Sequence, residues 1–185
     1  AAGTGQVSVN CEDRQIGVST NWTGPDTRVV APGSNPTKAH RNFIWIPWAD
    51  NGTNYIESQG KDVLSGPFSG CYMVVYNYNG NRRVAHIATP GAKNAWNQLV
   101  LNDPLLQITS GFMPHNGVAI TPGLISGNDS VFKFFGLVTA TDDLYSILAF
   151  TQHKAGSKKA DKPHMRIAAI EPTVSLTVHQ LGNLP

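Results

Sequence analysis

Cys71 and His86 are the two side chains whose types and placement could do chemistry in this chain. A free thiol is mostly protonated near neutral pH, and the thiolate is the nucleophile. An adjacent imidazole can take the thiol proton, and the resulting imidazolium stabilises the thiolate. Gly70, just before Cys71, lets a backbone or a substrate come close. Backbone N–H groups at Gly70 and Cys71 could then form an oxyanion hole. The competing reading is packing: cysteine is among the most often buried residue types, and a strand histidine is usually structural.

A β-hairpin is the element that must position the pair. Tyr72-Met73-Val74-Val75-Tyr76 is β-branched and aromatic, which suits a pleated, largely buried surface. Asn79-Gly80 is a strong hairpin signal, because a type I′ turn needs positive φ at both central residues. With those two residues as the loop, Tyr78 faces Asn81, Met73 faces His86 and Cys71 faces Ala88. Cys71, Met73, His86 and Ala88 then share one face. Cys71 and His86 become diagonal neighbours, with Cβ atoms roughly 7–8 Å apart or less. A three-residue loop would shift the pairing by one and put them on opposite faces. The expectation is a pair on one face, at the rim of a cleft.

Phe68-Ser69-Gly70-Cys71 opening a strand, with His86 on the next, resembles the catalytic domains of the cytotoxic necrotizing factors. It is similar as well to Burkholderia lethal factor and to the chemoreceptor glutamine deamidases. The resemblance spans about residues 65–89. It implies a mixed β-sandwich and a Cys–His site that hydrolyses the side-chain amide of a protein glutamine, with Cys71 and His86 as catalytic residues. Some members carry a threonine six residues before the cysteine that orients the histidine. Ser65 stands at that position here, while members of the necrotizing-factor type use a backbone carbonyl instead. A bacterial toxin or effector, secreted or translocated into a host cell, is what the resemblance implies. Its partner would be a host or target protein carrying a reactive glutamine.

Composition bounds these readings. The chain has 185 residues, enough for one domain that buries about 70% of its unfolded surface. Charged residues are 14%, and Gly, Pro, Asn, Ser and Thr are plentiful, a balance that suits a turn-rich β protein. A formal charge of +2 is too small to imply a nucleic-acid partner. No run of 18 apolar residues is present, so no membrane span is expected. Gly-rich phosphate loops, CxxC pairs and HExxH are absent, and His153, His164 and His179 are scattered, so no cofactor and no metal are expected. A Gly-x-Ser-x-Gly elbow is absent too. The chain begins Ala1-Ala2-Gly3, which leaves a processed, excised or trimmed origin open.

The remaining elements follow from pattern. Residues 6–10 and 14–19 are short strand candidates. Residues 42–46 read as a buried strand stopped by Pro47, and 54–58 as another before turns at Gly60 and Gly66-Pro67. Trp45 and Trp48 either frame a substrate cleft or anchor the core. Thr89 and Pro90 suit the N-cap and first position of a helix that buries Ala92, Ala95, Trp96, Leu99 and Val100. That helix should pack across a sheet, and its dipole could favour the thiolate. Residues 105–109, 117–121 and 124–125 are short interrupted segments, with His115 in a surface turn. Residues 131–139 and 144–152 form a second hairpin, and 154–162 a lysine-rich loop. Residues 166–170 and 173–178 read as one broken strand or two short ones, bent at Pro172.

The predicted fold class is α+β: a mixed, mostly antiparallel β-sandwich with one or two packed helices, in a single catalytic domain over residues 1–185, acting as a monomer. Cys11 and Cys71 are expected as free thiols, since two cysteines make no disulfide framework. The rival is a non-catalytic β-module, secreted or part of an assembly, with Cys71 buried or bonded to Cys11.

Overall fold

The computed structural model describes residues 40–58, 60–120, 131–152 and 164–185, with short strands β1 (Gly3–Thr4), β2 (Ser8–Asn10), β3 (Gln15–Gly17) and β4 (Arg28–Val30). The other strands are β5 (His40–Pro47), β6 (Thr53–Glu57), β7 (Asp62–Phe68), β8 (Tyr72–Tyr78), β9 (Asn81–Ile87), β10 (Leu106–Phe112), β11 (Val131–Val138), β12 (Leu144–Gln152) and β13 (His164–Pro172). Helices are α1 (Lys93–Asn102) and α2 (Val178–Gly182). One sheet runs β1-β5-β7-β11-β12-β13-β3-β2, with β4 beside β5, and the other runs β10-β8-β9-β6. Among the described residues, every pairing is antiparallel except β5 with β7. This is the mixed, mostly antiparallel α+β architecture that the pattern implies. Among the described residues, no helix is long and apolar enough to cross a membrane.

Strand alternation builds the layers. Met73 and Val75 of β8 and Val84 of β9 face Ile46, Val63, Phe134, Val138, Leu144 and Leu148 of the large sheet, forming the core between the sheets. The alternate residues of the hairpin, Tyr72, Val74, Tyr76, Ala85 and Ile87, point outward and are covered by Trp96, Leu181 and Leu184. Trp96 is fully buried, meets Tyr76 edge to face and donates its indole N–H to Leu181 O at 2.7 Å. Truncating it to Ala would cost roughly 3–5 kcal/mol.

Three elements differ from the sequence pattern. Gly66-Pro67 is no turn but lies inside β7, where the pairing with β11 steps from Phe68↔Phe134 to Ser65↔Gly136. The two residues form a bulge, which tolerates a proline that cannot donate. A Cβ on Gly66 would sit 2.4 Å from the Phe135 ring, so this position needs glycine. Helix α1 starts later than Thr89: its N-cap is Ala92, and the Thr89 hydroxyl is engaged elsewhere. Only Ala92, Trp96 and Val100 of the expected stripe turn inward, while Ala95 and Leu99 are exposed. The helix meets the sheet along one i, i+4 row, and Asn97 on its flank bonds the Leu184 backbone. Residues 173–177 form no strand. Thr177 caps α2 instead, in a capping box with Gln180.

The hairpin of residues 131–152 is present, and His115 is exposed in a 3-10 turn over Pro114–Asn116. Cys11, residues 121–130 and the lysine-rich segment 154–162 lie outside the described residues.

Candidate functional site

Asn79 and Gly80 have φ of 49° and 81°, as a type I′ turn requires. The two-residue loop sets the register: Tyr78↔Asn81, Met73↔His86, Tyr72↔Ile87. Cys71 is one residue beyond the ladder and belongs to the inter-sheet core with Met73 and Ala88. His86 points the same way, because its ring stacks on Phe68, with centroids 4.0 Å apart and planes 14° from parallel. Thiol and imidazole therefore occupy one face, on neighbouring strands.

Ser65 reaches this pair from the opposite sheet. Its strand β7 runs parallel to β5, with Ser65 beside Ile46. The Ser65 hydroxyl donates to Ile46 O at 2.7 Å and lies 2.8 Å from His86 Nδ1. A hydroxyl has one hydrogen, and a carbonyl can only accept. Ser65 therefore accepts from Nδ1–H, and this fixes the imidazole tautomer with Nε2 as the bare, basic nitrogen. A backbone carbonyl thus stands behind the serine, so hydroxyl and carbonyl act in series rather than as alternatives. His86 Nε2 has no hydrogen-bond partner. Burial lowers the His86 pKa to about 4, so the ring is neutral at neutral pH.

The position at a cleft rim is not what the structure shows. Cys71, His86 and Ser65 are 5%, 1% and 0% exposed. The reason is the sandwich: the inward face of β9 meets the second sheet, and there Phe68 and Ser65 of β7 cover His86. Gly70, just before Cys71, is half-buried and has φ +124°, and among the described residues nothing beyond its chain neighbours lies within 4 Å of the space a Cβ would fill. Ser69 next to it is exposed. Cys71 carries a free thiol. Its thiol and His86 Nε2 make no hydrogen bond, a looseness common in catalytic pairs before substrate binds.

Other expected contributors stand apart. Trp45 packs against Phe135 on the far face of the large sheet, and Trp48 is exposed. Helix α1 covers the outer face of the hairpin sheet, so the sheet stands between the helix dipole and the thiol. A groove of about 620 Å3 lined by Tyr72, Met113, Asn116, Val174, Leu176 and His179 includes none of Cys71, His86 and Ser65. Among the described residues, no three His, Cys, Asp or Glu side chains gather as metal ligands would.

Two contacts escape a reading of the sequence. Phe68 stacks on His86, which nothing in its local pattern signals. Thr89 Oγ1 donates to Gly70 O at 2.7 Å, a contact that the hairpin register could have signalled, since extending it two residues past Tyr72↔Ile87 sets Gly70 opposite Thr89. No protein-family model matches this chain, and no curated protein matches it.

Proposed function

We propose that this chain is a protein-glutamine deamidase that works through a Cys71 thioester. The observation that carries the reading is the Ser65–His86 hydrogen bond, which leaves Nε2 unengaged on the face that holds the Cys71 thiol. His86 Nε2 takes the thiol proton as Sγ attacks the carboxamide carbon of the substrate. Because burial disfavours imidazolium, the resting pair is neutral, and proton transfer accompanies attack. The tetrahedral oxyanion is received by backbone N–H at Cys71 and Gly70. Nε2–H then protonates the departing ammonia. Water, deprotonated by Nε2, cleaves the thioester, releasing glutamate and restoring the thiol. An amine in place of water would make the same site a transglutaminase.

The residues support thiol nucleophile chemistry, and the resemblance of residues 65–89 to necrotizing-factor catalytic domains supports glutamine as the target. The same resemblance supports a toxin or effector that is secreted or translocated and meets a target protein inside a host cell; its acting as a monomer is part of the proposal and not of the resemblance. Incubation with candidate host proteins, followed by mass spectrometry, should reveal Gln-to-Glu conversion that Cys71→Ser abolishes. Conversion that persists in Cys71→Ser would sink the assignment.

The near-complete burial of Cys71 and His86 favours a second reading, a non-catalytic β-module with a packing cysteine. Thiol alkylation separates the two. A catalytic Cys71 reacts quickly at neutral pH, and a packing one slowly or not at all.

A further inference from the structure

We propose that Thr89 is a positioning residue that aims the oxyanion-binding N–H of Cys71; this inference rests on Cys71 being the nucleophile. Thr89 has the sequence signature of a helix N-cap, yet it caps nothing: α1 begins after Ala92, and the Thr89 hydroxyl donates to Gly70 O at 2.7 Å. The bond joins the residue before the nucleophile to the segment that leaves the base strand β9, three residues after His86.

Gly70 O and Cys71 N–H belong to one peptide unit, which is trans. In a trans peptide the C=O and N–H point in opposite directions. Holding the carbonyl toward Thr89 therefore turns the N–H away from β9. Donation to the carbonyl also polarises the peptide, which makes its N–H a stronger donor. Gly70 needs this help. At φ +124° it occupies a conformation open to glycine, and among the described residues no side chain beyond its chain neighbours lies within 4 Å of its Cβ direction to brace it. Without the Thr89 bond, the peptide preceding the thiol is free to rotate, and a donor that must be preorganised loses its aim.

Two reagents that attack the same thiol isolate this effect. Acylation by p-nitrophenyl acetate forms the Sγ–C bond through a tetrahedral oxyanion; the thiol proton passes to His86 Nε2 and nitrophenolate leaves. Alkylation by iodoacetamide displaces iodide at a saturated carbon, where no oxyanion develops. With the Cys71→Ser rate subtracted as background, Thr89→Val should slow acylation about 10- to 100-fold. Its iodoacetamide rate should stay within about 2-fold of wild type, because thiol and base are untouched. Thr89→Ser, which keeps the hydroxyl, should restore most of the acylation rate, and Thr89→Ala should behave as Thr89→Val does if the latter fails to fold. Equal slowing of both reactions would assign Thr89 a merely structural role and overturn the proposal. Unchanged acylation in a folded Thr89→Val protein would overturn it as well. If wild type and Cys71→Ser acylate alike, the nucleophile assignment itself fails, and the Thr89 proposal fails with it.

Discussion

Strand β9 ties the two sheets together twice, and the two ties differ in one respect that bears on function. Arg82 and His86 are four residues apart, roughly 13 Å along the strand, and both point toward the large sheet. Arg82 engages every nitrogen of its guanidinium: Nε bonds Asp142 Oδ1 at 2.8 Å, Nη1 meets Ser58 Oγ, and Nη2 reaches Thr139 O at 2.9 Å and Asp142 Oδ1. It is charged and part-exposed. His86 is neutral, wholly buried, and uses Nδ1 alone; Nε2 is left without a partner. An unpaired buried nitrogen costs about 1–3 kcal/mol. A tie whose only task was to hold sheets together would be cheaper if it were saturated, as the one at Arg82 is. The unsaturated tie is the one beside a thiol.

If that contrast reflects function, removing the thiol should have the largest effect. Cys71→Ser should lower amide hydrolysis by at least ~10³-fold, about 4 kcal/mol of transition-state stabilisation. Since Cys71 belongs to the inter-sheet core, the same change should also lower stability by roughly 1–3 kcal/mol. A melt paired with an ammonia-release assay measures both. A lowered melt with full activity would make Cys71 a packing residue and His86 an unexplained orphan.

Acid should separate the ties next. The unfolded chain protonates His86 near the ordinary 6.5, while the folded chain holds out to about 4. Between those values the unfolded state binds more protons, so stability is complete above about pH 6.5 and is lost as pH falls toward 4. The loss is roughly 3 kcal/mol. Urea denaturation from pH 7 to 4 should show it in wild type and not in His86→Gln. Parallel pH curves for the two proteins would mean that burial does not hold the imidazole neutral.

Ser65→Ala tests the orientation of the base. It removes the acceptor that fixes the tautomer, so turnover should drop by about 10²-fold, less than for Cys71→Ser. As complete a loss as in Cys71→Ser, in a folded protein, would give Ser65 a direct part in the chemistry.

The smallest effect belongs to the saturated tie. Arg82→Leu should cost at most about 1 kcal/mol, since the pair is 20% and 46% exposed and screened by water. It should leave kcat unchanged. A fall in kcat would erase the distinction between the two ends of β9.

Much of the site was legible in local sequence because local rules govern it. Asn79-Gly80 specifies a two-residue turn, the turn sets the register, and the register puts Cys71 and His86 on one face; each step needs only near neighbours in the chain. Thr89 opposite Gly70 follows from the same register, yet its helix-cap signature pointed elsewhere, because a hydroxyl can either accept from the first N–H groups of a helix or donate to a carbonyl across the hairpin. Strand β7 illustrates the limit. Gly66-Pro67 has the local chemistry of a turn, and only its pairing with β11 makes a bulge of it and keeps Ser65 in a strand. The parallel pairing of β7 with β5 joins residues about twenty positions apart, and it brings the Ile46 carbonyl to Ser65. Burial of the site was beyond the sequence for the same reason. Alternation along β9 says that His86 shares a face with Cys71, but whether that face meets water or a second sheet depends on how distant strands stack, and that is decided by the tertiary structure alone.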